Sequence, residues 1–241
     1  MSKDYKAKIS FAIIWLVVYL IGLPISNILS DWVEIPNSCT TVYRILFVLS
    51  LFIYMQKRKV FAYYGICSLK KLDSKALLYY VPLGLLVAVP FVFGVEISLS
   101  LEQILLLSLG ALCIGFIEEI LMRGFLFKAL LEKGKVLAIV VSSCSFGLLH
   151  IVNLFGGADI LYTLAQIIFA CAFGFACVIF FYKTNNIIPC IVCHGLLDLC
   201  ALFWTEDEAE MFMIFLLSAI ISMIYGIYLL KMNKRTVNRT A

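Results

Sequence analysis

The chain has 241 residues, of which 63% are hydrophobic and only 14% are charged. A soluble domain contains about 45–50% apolar and about 25% charged residues, so this composition excludes an ordinary soluble domain. The net charge of +4 is small for a chain of this length. We therefore expect the chain to reside in a membrane.

Long uncharged segments recur along the chain. Residues 76–95, 160–182 and 211–230 carry no charge, and each is long enough to cross a ~30 Å hydrocarbon core as an α-helix. We expect no separate soluble domain, so residues 1–241 are predicted to form a single membrane domain. The whole pattern predicts an all-α polytopic membrane protein with about eight transmembrane helices. The predicted spans are residues 9–29, 40–56, 76–95, 103–127, 136–152, 160–182, 187–205 and 211–230.

The first two predicted helices each carry an irregular feature. Residues 9–30 follow a short basic stretch, as the core of a signal peptide would. The apolar run is too long for a typical signal peptide and no small-residue cleavage site follows it, so we expect a retained helix. In the second predicted helix, Arg44 interrupts the apolar run.

The charges between the predicted helices indicate their orientation. All but two of the 19 basic residues, Arg44 and Arg123, fall at the N-terminus, at the C-terminus or in alternate loops. The remaining loops carry acidic residues, such as Glu102 and Asp159. This positive-inside pattern predicts an even number of crossings with both termini in the cytoplasm. Since the net charge reflects this topology, we expect no nucleic-acid partner.

Six ionisable residues lie deep inside three of the predicted helices. They are Glu118, Glu119 and Arg123 in the fourth helix, His150 in the fifth, and His194 and Asp198 in the seventh. A charge at the bilayer centre costs about 2.5–3.5 kcal/mol on insertion scales, so unpaired charges at these positions would be strongly unfavourable. Such residues mark a functional site by default, and the alternative is a polar network that only ties helices together.

Helical spacing indicates which of these side chains can interact. Glu119 and Arg123 are four residues apart and share a helix face, whereas Glu118 is rotated by about 100° from Glu119. His194 and Asp198 have the same four-residue spacing, which allows the carboxyl group to hold the imidazole in one tautomer. Counted from the nearest cytoplasmic lysines, the three helices could bring Glu118, His150 and His194 together near the middle of the membrane.

Three motifs resemble those of one protein family. Residues 118–123, EEILMR, are similar to the EExxxR motif of the CPBP family, the CAAX-protease and bacteriocin-processing (Abi) intramembrane proteases. Residues 146–150, FGLLH, match its FxxxH motif, and residues 194–198, HGLLD, match its HxxxN or HxxxD motif. The motifs occur in the family's order, and the resemblance covers about residues 103–203, the expected catalytic core.

The resemblance implies an endopeptidase that hydrolyses a peptide bond within the membrane. In the family's pattern Glu118 and His150 would activate a water molecule, and His194 with residue 198 would stabilise the oxyanion. Several family members have Asn where this chain has Asp198. Because an ionised carboxylate would repel an oxyanion, we expect Asp198 to orient His194 or to be protonated. Glu119 and Arg123 would form a supporting ion pair.

No cofactor is expected, and the alternative is a zinc ion bound by Glu118, His150 and His194. Two histidines and a carboxylate are a common catalytic zinc set. Against zinc, the two histidines lie on separate helices, and only His194 has an obvious partner to orient it. A zinc site would also use Glu118 as a ligand and leave Glu119, which faces Arg123, as the base.

Two other functions are consistent with the same residues. One is a catalytically silent family member that acts as a membrane scaffold or a bacteriocin-immunity protein. The other is a small transporter or proton relay, although no pair of broken helices at matching positions supports it. The expected partners are membrane lipids and a peptide or protein substrate, and the expected location is a bacterial cell membrane. The sequence does not indicate the oligomeric state.

Overall fold

A computed structural model describes residues 3–67, 74–205 and 207–232. Within these residues the chain is helical and contains no strand, which confirms the all-α prediction. The helices are α1 Lys3–Trp32, α2 Ser38–Arg58, α3 Ser74–Ala88, α4 Leu101–Glu119, α5 Lys128–Leu130, α6 Lys135–Leu148, α7 Ile160–Thr184, α8 Ile188–Ala201 and α9 Glu208–Lys231. Some residues used in the topology prediction lie outside the described ranges, namely Lys70, Lys71, Glu206, Lys234, Arg235 and Arg239.

Six helical stretches of the described chain, rather than the predicted eight, are long and apolar enough to cross a membrane. The two predicted spans that fall short are residues 76–95 and 187–205. In the first, the α-helix ends at Ala88 and is followed by a 3₁₀ turn, Val89–Val92, because Pro90 has no backbone N–H to continue an α-helix. The second corresponds to α8, whose 14 residues extend about 21 Å, less than the hydrocarbon thickness.

The stretch Leu101–Lys133 is one long apolar helix with a change of winding in its middle. Its first part, α4, begins at a capping box in which Ser100 accepts from the backbone N–H of Gln103, which satisfies free N–H groups at the helix start. Beyond Glu119 the chain continues as a π-helical segment, Ile120–Phe127. Such wide turns occur frequently at functional sites. The winding changes inside the EExxxR motif.

Two glycines allow the helices that carry the motifs to approach closely. A Cβ atom on Gly115 of α4 would lie 2.5 Å from the backbone nitrogen of Gly195 in α8. A Cβ atom on Gly147 of α6 would lie 2.7 Å from the carbonyl oxygen of Ile167 in α7. Backbone therefore packs against backbone at both places, as small residues permit in membrane helix bundles. These contacts join α4 to α8 and α6 to α7.

The surface of the bundle is apolar. On α1, Ile14, Ile21 and Ile28 are 60%, 56% and 62% exposed. Their seven-residue spacing places them on one outward face of the helix, and such a face suits contact with lipid rather than with water. The protein is therefore an integral membrane protein. All nine cysteines are free thiols.

Candidate active site

Glu119 and Arg123 form a fully buried ion pair at the point where α4 becomes π-helical. Arg123 Nη1 lies 3.0 Å from Glu119 Oε1, and both side chains are 0% exposed. The guanidinium carbon also lies 4.2 Å from the centre of the Phe146 ring, a distance at which the ring face attracts a cation. The pair therefore joins the EExxxR motif to the first residue of the FxxxH motif.

His194 is surrounded by three carboxylates from α4 and α8. Its Nδ1 atom lies 3.1 Å from Glu119 Oε1. Its Nε2 atom lies 3.5 Å from Asp198 Oδ2 and 3.9 Å from Glu118 Oε2. The hydrogen bond that orients the ring is therefore made by Glu119, and Asp198, which we expected to orient it, is only a neighbour of the other ring nitrogen.

Aromatic rings fix both histidines. The His194 ring meets Phe146 and Phe173 edge to face, with centroids 5.5 Å apart in each case. The His150 ring lies 5.6 Å from the Phe146 centroid, and its Nδ1 atom lies 3.1 Å from the Phe146 carbonyl oxygen. Because a carbonyl can only accept, this contact assigns the proton to Nδ1 and leaves Nε2 as an acceptor. Phe146 therefore contacts both histidines as well as Arg123.

A cavity of about 260 Å³ brings together the four residues expected to be catalytic. Glu118, His150, His194 and Asp198 all line it. The Glu118 side chain is 27% exposed, whereas that of Glu119 is 0% exposed. The two adjacent carboxylates therefore differ as their helical rotation predicts, with Glu118 facing the cavity and Glu119 facing the protein interior. No ion pair within 4.0 Å joins His150 to Glu118 in the described residues.

Other polar side chains, outside the three motifs, line the same cavity. Arg44 of α2 and Tyr19 of α1 lie on its wall. Asn153 and Gln166 also line it, and the Asn153 amide donates to Gln166 Oε1 at 2.7 Å. The sequence signal for Arg44 was its charge inside an apolar helix, and for Gln166 its polarity within the uncharged residues 160–182.

The described residues contain one set of ligand atoms close enough together to hold a metal ion, and it is not the predicted set. Glu119, Cys177 and Cys190 have ligand atoms within 4.8 Å of one another. Glu119 Oε1 already lies 3.0 Å from Arg123 Nη1 in a buried ion pair. The fixed positive charge of this guanidinium opposes binding of a cation at Glu119. The chemistry of this set therefore does not fit a metal. Glu118, His150 and His194 form no such set within the described residues.

Comparison with protein families agrees with the motifs. Residues 100–200 match the family model described as type II CAAX prenyl endopeptidase Rce1-like. This range contains Glu118, His150, His194 and Asp198, so the family match and the cavity concern the same residues. No curated protein and no solved structure matches the chain. Residues 100–200 are therefore similar to the Rce1-like CAAX protease family, the family that the three motifs indicated.

Proposed function

We propose that this protein is an intramembrane endopeptidase that uses a water molecule activated by Glu118. The observation that carries the proposal is the joint exposure of Glu118, His150, His194 and Asp198 to one cavity. A cavity of about 260 Å³ has room for several water molecules or a short length of peptide. The membrane protease family and the apolar surface support lipids and a peptide substrate as its partners.

Glu118 and His150 would share the activation of water. The carboxylate accepts one proton of the water, and His150 Nε2, which is unprotonated because Nδ1 holds the proton, accepts a hydrogen bond from the other. The water oxygen then attacks the carbonyl carbon of the scissile peptide bond. Glu118 passes the accepted proton to the leaving nitrogen, and the C–N bond breaks. No atom outside the peptide and the water is consumed.

His194 would stabilise the negative charge that develops on the carbonyl oxygen. Nδ1 donates to Glu119, so a donor on Nε2 requires a proton on both ring nitrogens. The carboxylates of Glu119, Asp198 and Glu118, at 3.1, 3.5 and 3.9 Å, compensate the positive charge of such a ring. The contacts of Nε2 are long for hydrogen bonds, so this proton remains available to an oxyanion.

No metal takes part in this proposal. The residues that would bind zinc in the alternative, Glu118, His150 and His194, here have separate roles as base, water ligand and oxyanion donor. The Glu119–His194 contact supports this assignment, since it gives His194 a partner that orients the ring without a metal.

The test is cleavage of a defined peptide by purified protein in detergent. We would use an internally quenched peptide with an S-farnesyl cysteine followed by Val-Ile-Met, because the matching family is described as CAAX prenyl endopeptidases. Glu118→Gln should lower the rate at least about 10³-fold, since the general base is lost. Glu102→Gln is the matched control, because Glu102 is exposed at the start of the same helix.

Cleavage that survives Glu118→Gln would contradict the role of Glu118. Absence of cleavage in the unsubstituted protein, together with tight binding of the uncleaved peptide, would favour the silent scaffold over the protease. A peptide without the farnesyl group, assayed in the same series, tests whether cleavage requires prenylation.

A further inference from the structure

A second cavity lies at the end of the bundle where α1 begins and α2 ends. Its volume is about 650 Å³, and its walls come from α1, α2, the turn 60–64 and residues 125–129. Among the described residues, none lines both this cavity and the catalytic cavity. The positive-inside pattern predicts that this end of the bundle faces the cytoplasm. This space, the α1–α2 cavity, is therefore a separate candidate site.

The charge of the α1–α2 cavity is positive. Lys8, Arg58 and Lys128 line it together with one acidic residue, Asp4. Lys8 is neutralised by Asp4 at 2.7 Å and by Glu132 at 2.5 Å. In the part of the chain that the structure describes, no carboxylate lies within 4.0 Å of Arg58 or Lys128. The described residues therefore leave two positive charges of this cavity unbalanced.

The two unbalanced cations are positioned differently. Lys128 Nζ donates to the backbone carbonyl of Tyr63 and, at 3.2 Å, to Asn185 Oδ1. It also lies 4.5 Å from the centre of the Tyr63 ring. These uncharged groups orient the ammonium group without neutralising it. Arg58 is exposed in the last turn of α2, so its guanidinium is accessible to a ligand.

Part of the wall of the α1–α2 cavity is aromatic. Four of its residues form a chain of ring contacts with centroids 4.8–5.1 Å apart, namely Tyr54, Phe11, Phe125 and Tyr64. Phe125 belongs to the π-helical segment that also contains Arg123. Such rings offer a large apolar surface, which a fully hydrated anion does not use. The ligand should therefore combine a negative charge with apolar groups.

We propose that the α1–α2 cavity binds the headgroup of an anionic phospholipid. Arg58 and Lys128 contact the phosphate, and the aromatic wall contacts the glycerol backbone and the start of the acyl chains. A guanidinium can bind a phosphate with two parallel hydrogen bonds, and basic pockets between membrane helices bind anionic headgroups. A zwitterionic phosphatidylcholine fits less well, because the same two cations repel its ammonium group. The inference does not depend on the proposed proteolysis.

The alternative is a diffuse attraction between anionic lipids and all the basic residues at this end of the bundle. Such an attraction depends on the number of basic residues near the membrane surface and little on their exact position. Lys57 is exposed in the same last turn of α2 but does not line the cavity. Lys57→Gln and Arg58→Gln therefore remove the same charge from neighbouring positions, and only a specific site distinguishes them.

The experiment counts the lipids bound to the purified protein. Native mass spectrometry in an uncharged detergent follows a titration with phosphatidylglycerol, and a second titration with phosphatidylcholine that has the same acyl chains. The unsubstituted protein, Arg58→Gln and the matched control Lys57→Gln are compared. Ala7→Trp is added, because Ala7 is an exposed residue of the cavity wall and a large ring there fills the cavity without changing its charge. Glycerol phosphate is the soluble competitor.

We expect one phosphatidylglycerol per chain, bound about tenfold or more tightly than phosphatidylcholine, as for one charge-assisted contact. Arg58→Gln and Ala7→Trp should each weaken its binding about tenfold, and Lys57→Gln should change it less than about twofold. Equal binding of the two lipids to the unsubstituted protein would overturn the proposal, even if no variant can be purified. Equal losses for Arg58→Gln and Lys57→Gln would overturn it in favour of diffuse attraction. Displacement of the lipid by glycerol phosphate at equal concentration would overturn it in favour of a soluble phosphate compound.

Discussion

At the scale of single residues, two adjacent glutamates have different environments. Glu118 faces the cavity and is 27% exposed, whereas Glu119 is fully buried between Arg123 and His194. Rotation by one residue along a helix accounts for the difference. Their substitution should therefore separate catalysis from stability.

Glu119→Gln should lower both activity and stability. The neutral amide leaves Arg123 as a buried charge without a counter-ion, which destabilises a protein by about 3–5 kcal/mol. It also weakens the hydrogen bond that orients His194. The measurements are peptide cleavage, abundance in the membrane, and the temperature at which the purified protein unfolds in detergent.

Glu118→Gln is the control for that experiment, since Glu118 makes no ion pair with an arginine in the described residues. We expect it to lose cleavage and keep its abundance. Equal unfolding temperatures and abundances for the two variants would remove the distinction between a catalytic and a structural glutamate.

Asp198→Asn should retain at least about a tenth of the activity, and Asp198→Ala should lose more. Asp198 Oδ2 is buried without a hydrogen-bond partner, and it lies 3.5 Å from His194 Nε2. The amide has nearly the same shape, removes a negative charge next to the oxyanion, and adds a donor. Steady-state kinetics of the two variants test this, and an Asn variant as inactive as the Ala variant would indicate that the charge of Asp198 is required.

Chelation should leave the activity unchanged. In the closely spaced set of Glu119, Cys177 and Cys190, the Glu119 carboxylate already forms an ion pair with Arg123. The roles proposed for Glu118, His150 and His194 need no metal ion. The purified protein is analysed for metals and assayed before and after dialysis against a chelator. Zinc at one ion per chain, with activity lost on chelation and restored by zinc, would make Glu118 a ligand instead of a base.

At the scale of elements, the close contact between α4 and α8 determines where His194 meets Glu119. Gly115 and Gly195 form this contact, but their substitution should have unequal effects. A Cβ atom on Gly115 would lie 2.5 Å from backbone, whereas on Gly195 its nearest neighbour would be 3.4 Å away, on the Leu112 side chain. The first is a clash and the second is an ordinary packing distance.

Gly115→Ala should therefore separate the two helices and reduce cleavage at least about tenfold, with a loss of stability of about 1–3 kcal/mol. Gly195→Ala should have little effect on either quantity. Cleavage rate and unfolding temperature are measured for both variants. If the two alanine variants behave alike, the backbone contact does not position the site.

At the scale of the whole molecule, the topology remains a prediction. Both termini are expected in the cytoplasm, and eight crossings require the short helices α3 and α8 to reach both membrane surfaces with their flanking turns. Reporter fusions at Lys133 and Lys183 should be cytoplasmic, and fusions at Glu102 and Asp207 should be on the outer side. An odd number of crossings, seen as a C-terminal reporter on the outer side, would contradict the loop-charge interpretation.

The sequence by itself determined the class of the protein and indicated most of the residues of its candidate site. Hydropathy alone indicates a helical membrane protein, because a bilayer accepts few other backbone structures. Ionisable residues stand out against this apolar background, and their four-residue spacing indicated that Glu119 faces Arg123. For the same reason, His150 and His194 could be identified as candidate site residues without any knowledge of their contacts.

Only the tertiary structure decided which groups from different helices meet. The His194–Glu119 hydrogen bond joins residues 75 positions apart in the sequence, so helical spacing could not predict it and pointed to Asp198 instead. Arg44 reaches the cavity because Gly110 of a different helix leaves space for it. The described residues contain six long apolar helices rather than the predicted eight, since Pro90 changes the winding after α3 and α8 is short. Hydropathy measures composition along the chain, whereas these features depend on how close two backbones can come and where a helix can start and end.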